Sequence, residues 1–230
     1  MVIVSHSHAF LVLKTHKTAS TSTEAALEHL CTTDPAGHSP AHSTSLKISE
    51  AGIIGSRAQP ERTPWRNHMP AWKAALLLGP TRWRRYRKIA VLRNPFDRAV
   101  SLFFHRMTGA ERDWASRASN VELVAAFRAW LPDQPLTENL DKLRILGRPA
   151  IDHYLYYETL AADLTALKTL LGDPKPLILP RYKGERRTNP LSYTAYYDAD
   201  SQDYVARRNR YELRLGGYGL GFGPTNRAPP

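Results

Sequence analysis

The sequence predicts an α/β fold. Two short apolar runs, Phe10-Leu11-Val12-Leu13 and Ile89-Ala90-Val91-Leu92, have the continuous character of strands buried on both faces of a parallel sheet. Each run stops at a polar loop leading into a helix start, and amphipathic stretches at helical spacing follow further along the chain. At 230 residues the chain is long enough for one well-buried domain of this class.

The elements are read in order. The first core strand is expected at Ala9–Leu13, followed by a loop and a helix from about Glu24. Residues 32–66 are rich in Pro, Ser, Gly and His and show no sustained period, which reads as a long loop. Pro70–Leu78 reads as a short helix stopped by Gly79-Pro80. The second strand, Ile89–Leu92, leads to Asn94 as a helix cap, with Pro95 in the first turn. A helix capped by Asn120 carries Val121, Val124, Phe127 and Leu131 along one side. Leu160, Leu164, Leu167 and Leu171 mark another, closed by Gly172. Leu177-Ile178-Leu179-Pro180 is strand-like. A last helix from Asp200 carries Tyr204, Tyr211 and Leu215 and ends at Gly216-Gly217. These stripes read as core. The domain is taken as residues 1–223, with 224–230 a disordered tail.

The most informative segment is Phe10–Glu24, FLVLKTHKTASTSTE. A helix start here aims unpaired backbone N–H groups, and the positive end of the helix dipole, into the preceding loop. Lys17 and the hydroxyls of Ser20, Thr21 and Ser22 add donors, so the loop suits a phosphate or a sulfate. It lacks the glycines of a Walker A loop. The ordinary alternative is a strand–loop–helix joint in which Ser and Thr only cap. In the second segment Arg93 offers a planar fork, and Ser101 shares a helix face with Asn94 and Arg98. Arg93 and Ser101 could hold a second phosphate. Alternatively, Arg93 ties a strand end to a neighbouring carboxylate.

HKTASTST and LRNPFDRAVSLF together resemble the two cofactor signatures of sulfotransferases that use PAPS (3′-phosphoadenosine 5′-phosphosulfate). The carbohydrate-type branch, family 2-like, is the closer match: its motifs run PKTxSTS and RxPxxRxxSxF/Y. Asp152–Glu158 followed by Leu160 and Asp163-Leu164, then Tyr196-Tyr197-Asp198 and Gly217-Tyr218, also resemble family segments, so the likeness spans roughly residues 8–222. The resemblance implies a three-layer α/β/α fold with a mostly parallel central sheet, similar to P-loop nucleotide kinases. Both motifs would lie at the carboxyl edge of the strands. It implies that Lys14, Thr18, Ala19, Ser20, Thr21 and Ser22 hold the 5′-phosphosulfate and that Arg93 and Ser101 hold the 3′-phosphate. It implies that Lys17 stabilises the transferring group and that Lys183, Arg186 and Arg187 belong to a basic loop for the cofactor's 3′-phosphate or for an anionic acceptor. Two residues depart from the pattern: His16 stands where Pro is usual, and Asn94 where many members have Asp. His16 bears on the loop's conformation and, when charged, on the pKa of Lys17.

Sulfuryl transfer needs a base for the acceptor hydroxyl, and histidine is the commonest. His68 is the choice among nine histidines; it lies 51 residues beyond Lys17 and just before a helix, and the resemblance implies the role, since similar sulfotransferases have a histidine at comparable spacing, within an Asn-His-Met triplet like Asn67-His68-Met69. Its alternative is a histidine that packs a helix start. As a base it must be neutral, so turnover with saturating substrates is expected to rise through a histidine pKa, near 6.5 before local shifts; neighbouring cations such as Lys17 would push it down and the cofactor's charge would push it up. The reaction expected is O-sulfation of a carbohydrate or glycoconjugate with PAP (adenosine 3′,5′-bisphosphate) as product and no metal. A phenolic, tyrosyl or lipid acceptor remains open, as do a P-loop-like kinase and a basic nucleic-acid module. The formal net charge of +11 calls for an anionic partner, which PAPS and an anionic saccharide both satisfy. Arg82-Trp83-Arg84-Arg85-Tyr86-Arg87-Lys88 interleaves aromatics with cations as nucleic-acid binders do, but a solvated helix face is the usual form of such a run. His6 and His8 lack a third metal ligand. One cysteine, Cys31, fits a reducing compartment, and the first residues form neither a membrane span nor a signal peptide. The resemblance with its motif near the chain start implies a soluble, cytoplasmic, bacterial member.

Overall fold

The computed structural model describes residues 2–35, 37–40, 45–56, 63–136, 139–180 and 191–225. In chain order the elements begin with β1 (Ile3–Ser5), β2 (Phe10–Val12), α1 (Ser20–Leu27), β3 (Lys47–Ile48), β4 (Gly52–Ile54), α2 (Ala71–Arg85) and β5 (Arg87–Leu92). They continue with α3 (Pro95–Arg106), α4 (Gly109–Ala115), α5 (Asn120–Trp130), α6 (Leu140–Leu143), β6 (Arg144–Ile145), β7 (Arg148–Pro149) and β8 (His153–Tyr156). The last are α7 (Leu160–Leu170), α8 (Ala199–Arg208) and α9 (Arg210–Gly216). They form two compact units, one from the described residues of 1–92 and 139–182, the other from those of 93–138 and 183–227.

The first unit holds a mixed six-stranded sheet in the order β3-β4-β1-β2-β5-β8. β2, β5 and β8 are parallel, while β3, β4 and β1 pair antiparallel with one another and β1 antiparallel with β2. This corrects the expectation of a mostly parallel sheet. The reason lies in the links. Residues 6–9 join β1 to β2 and residues 49–51 join β3 to β4, and a parallel crossover needs a dozen or more residues. The first core strand is also shorter than Ala9–Leu13, because Ala9 takes a left-handed φ of 51° in the hairpin turn. The strand pair β3–β4 lies inside the stretch read as a loop. Ile3, Phe10, Val12, Ile89, Val91 and Leu155 pack with Leu27 of α1 and Leu160, Leu164 and Leu167 of α7. Val4, Leu11 and Ala90, which alternate with them, are equally buried, so both faces of the sheet are covered. Leu177 and Leu179 pack against this core without forming a strand.

α2 begins at Ala71, one residue after the expected Pro70, and breaks at Gly79 (φ 75°, ψ 162°), but it resumes at Pro80 and runs to Arg85. Proline is at home in the first turn of a helix, so Gly79-Pro80 joins two helices rather than ending one.

The second unit is helical. The Asn94 side chain caps α3 by accepting from the Phe96 N–H. α5 is capped by Ser119, not Asn120, in a capping box with Glu122. Phe127 meets Phe103 and Tyr196 edge-on at 5.6 and 5.5 Å between ring centroids, in a core completed by Tyr197 and Val205. Buried Arg98 ties three segments together: its guanidinium donates to the Leu136 carbonyl and Asn209 Oδ1 and pairs with Glu212 at 3.1 Å. Thr225 hydrogen-bonds back to Gly216 and Gly217, and the rest of the proposed tail, 226–230, lies outside the described residues.

Candidate active site

The loop between β2 and α1 is built largely from side-chain hydroxyls. The Thr15 hydroxyl donates to the Val91 carbonyl at 2.6 Å, so that loop and neighbouring strand are joined. Thr18 Oγ1 lies 2.7 Å from both Thr15 Oγ1 and Ser20 Oγ, and Ser20 Oγ donates to the Thr15 carbonyl at 2.6 Å. All three side chains are buried. The hydroxyls of Thr18 and Ser20, expected on a ligand, are therefore used to knit the loop, and Thr15 is a partner that sequence reading missed. Lys17 and Ala19 adopt left-handed φ of 58° and 57° without being glycine. Such torsions cost of order 1–3 kcal/mol each and cluster at functional sites. Left-handed residues of this kind also occur in the backbone of anion-binding nests.

α1 starts at Ser20 with no side-chain cap and no acidic residue in its first turn. Its opening N–H groups and dipole therefore face the loop uncompensated by a carboxylate. Lys17 and Thr21 are half-buried at this mouth and Ser22 is buried beside them.

Lys14 is a different kind of lysine. It is 6% exposed, and its ammonium donates to Thr21 Oγ1 at 2.8 Å and pairs with the fully buried Glu24 at 3.0 Å. Its first duty is to hold α1 to the loop.

His68 is brought to this loop from far along the chain. Its ring stacks on His16, with centroids 3.6 Å apart and planes within 12°. Its Nδ1 lies 3.2 Å from the Lys14 carbonyl. A carbonyl only accepts, so the proton of neutral His68 sits on Nδ1 and leaves Nε2 as an acceptor. Burial, then the His16 and Lys14 charges, push the His68 pKa down to about 2. His68 also has a left-handed φ, 51°. The His16 N–H donates to Oδ1 of buried Asn139 at 2.7 Å, a second partner sequence reading missed.

In the other unit, Arg93 is held by Asp97: Nε and one terminal nitrogen lie 2.8 and 2.7 Å from the same carboxylate oxygen. Ser101 is half-buried one helical turn beyond Asp97. Asn94 donates to the carbonyls of Gly219 and Phe222 at 2.8 and 2.9 Å, so it anchors the chain near its end. Lys183, Arg186 and Arg187 lie outside the described residues. His6 bonds to the Tyr86 hydroxyl and His8 to Ser5, so the pair does not converge. No group of three or more potential metal ligands occurs among the described residues.

Residues 1–215 match the family model described as the sulfotransferase family. The chain belongs to that family. This sulfotransferase is thus an enzyme of the transferase class, and its general chemistry is sulfuryl transfer. No curated protein and no solved structure matches it. Among its described residues no helix is long and apolar enough to cross a membrane.

Proposed function

We propose that this sulfotransferase moves the sulfuryl group of PAPS to a hydroxyl of a carbohydrate or glycoconjugate and releases PAP. The observation that carries the reading is the loop from Lys14 to Ser22. It combines an uncapped helix start, two left-handed residues, a lysine and a stacked, neutral histidine. Such a cradle fits a group as anionic as a phosphosulfate. PAPS supplies a sulfuryl group already bonded to a good leaving group, a phosphate.

The chain's own residues do the rest. The N–H groups opening α1, with Thr21 and Ser22, hold the 5′-phosphate, while Thr18, Ala19 and Ser20 set the backbone and Lys14 supports it. Lys17 meets the negative charge that grows on the bridging oxygen, a role that needs no metal. His68 Nε2 takes the acceptor's proton. Arg93 and Ser101 hold the 3′-phosphate, for which Arg93 exchanges part of its bonding to Asp97. Lys183, Arg186 and Arg187 supply cations for the cofactor or for an anionic acceptor. We take residues 1–223 as one domain of the sulfotransferase fold similar to P-loop kinases. The buried Cys31 suits a reducing compartment such as the cytoplasm.

Calorimetry with PAP and AMP tests the reading. PAP is expected to bind at least tenfold more tightly, because AMP leaves Arg93 and Ser101 unengaged and a charge-assisted bond is worth about 1.5–3 kcal/mol. Arg93→Ala should erase the difference. Lys17→Ala should lower turnover by about two orders of magnitude or more while PAP binding weakens less. Activity should survive EDTA; a strict need for a divalent metal, with ATP as donor, would instead mark a kinase.

A further inference from the structure

A second basic site lies at the other edge of the sheet. Arg87 and Lys88 open β5, Ala9 precedes β2 and Asp152 precedes β8, so the amino ends of the three parallel strands meet there. They border a cleft of about 540 Å³ lined by His8, the run Arg84–Lys88 and Asp152, with Ala9 and Leu171 also in its wall. The catalytic loop leaves the opposite ends of the same strands. Three residues of β2 at about 3.3 Å each put roughly 10 Å between the two.

The charges in the cleft do not cancel. Asp152 is committed to Lys88, whose ammonium lies 2.7 Å from it and whose backbone N–H donates to it at 3.0 Å. Arg84 and Arg85 are exposed and Arg87 is half-buried, and none of the three has a carboxylate partner among the described residues. Three guanidinium forks around a concavity, with its carboxylate already neutralised, form a receptor for several oxyanions at once. The aromatics interleaved with them do not add stacking platforms. Tyr86 is buried with its hydroxyl on His6, and the Lys88 ammonium sits over Trp83, 5.5 Å from the ring centroid. Single-stranded nucleic-acid binders rely on such platforms.

We propose that this cleft is a second anion site that takes the sulfate or carboxylate groups of an acidic saccharide. The choice of saccharide rests on the acceptor class proposed above; the anion site itself rests on its own cations. Sulfuryl transfer creates a sulfate ester, so a saccharide already sulfated elsewhere carries the charges this cleft suits.

Sucrose octasulfate, titrated into the intact protein by calorimetry, is the probe. It should bind in the presence of saturating PAP, and Arg84→Ala/Arg85→Ala should weaken it at least tenfold. Arg82→Ala removes an equally exposed cation from the same helix outside the cleft, and should change affinity by less than threefold. Turnover of a small uncharged acceptor should be unchanged in the double variant. Equal losses in Arg82→Ala and the double variant would show a diffuse field and overturn the site, as would displacement of the probe by PAP. A single-stranded oligothymidylate that binds as tightly, with the same dependence on Arg84 and Arg85, would overturn the saccharide assignment. If the catalytic reading alone is wrong, PAP fails to bind while the probe still does.

Discussion

At Lys14 a buried ammonium faces a buried carboxylate, and that pair decides what a substitution there would report. Removing one partner of a buried ion pair typically costs about 3–5 kcal/mol. Lys14→Met is therefore expected to lower the stability measured by urea unfolding by about that much, and Lys14→Met/Glu24→Gln to recover part of it. Sequence reading gave Lys14 and Lys17 different roles, but both on the cofactor. Both are loop lysines three positions apart, and only the long-range fold shows which one is spent on Glu24. His68 shows the converse. Its residue type and place were legible as a candidate base, and so were the opposing pulls on its pKa, cations downward and the cofactor's charge upward, but not the burial that dominates in the ligand-free protein. With the folded pKa pushed down to about 2, His68 stays neutral in the native state, while in the unfolded chain it takes a proton below about pH 6.5. Its contribution to stability is complete above pH 6.5 and is lost as pH falls toward 2, by up to about 1.4 kcal/mol per pH unit. Urea unfolding between pH 4 and 7 should show a shallower acid loss in His68→Gln than in the parent. In kcat/KM, which reports the free enzyme, His68 should contribute no limb above pH 5.

The elements show why local reading stops where it does. The strand–loop–helix of β2 and α1 was legible because its chemistry is contiguous. The antiparallel half of the sheet was not, because Val2-Ile3-Val4 and Gly52-Ile53-Ile54 are too short to stand out by period. The lengths of their links, once the strands are known, dictate their direction. Asn139 could not be found from its neighbourhood, since its partner His16 is 123 residues away. In α2 the break was legible and the restart was not. Gly79 occupies a backbone region essentially reserved for glycine, with nothing within 4 Å of an added Cβ. Gly79→Ala is thus expected to cost about 1–3 kcal/mol through torsion alone. Equilibrium unfolding would show a smaller loss only if the Gly79 kink straightens.

Across the whole molecule, composition spoke for an anionic partner but not for where it would lie. The net charge of +11 sums over the β2–α1 loop, the Arg84–Lys88 stretch and all the chain's other basic and acidic residues. Only folding shows that some cations, such as Arg98 with Glu212 and Lys168 with Asp173, serve the interior. Others, such as Arg84 and Arg85, are exposed to water, where screening acts within about 10 Å at 0.1 M salt. Raising salt from 0.05 to 0.5 M should therefore weaken PAP and sucrose octasulfate alike, and the exposed cleft more steeply than the buried loop. Isothermal titrations across that range would show the order of the two slopes.

The hydroxyl chain through Thr15, Thr18 and Ser20 has a consequence for how an anion is received. A glycine-rich phosphate loop keeps much of its conformational freedom until a ligand arrives and gives it up on binding. Here the left-handed turns at Lys17 and Ala19 are locked by cross-links formed when the chain folds. The entropy of ordering has already been surrendered, so little of the binding energy of an incoming anion is diverted to shaping its seat.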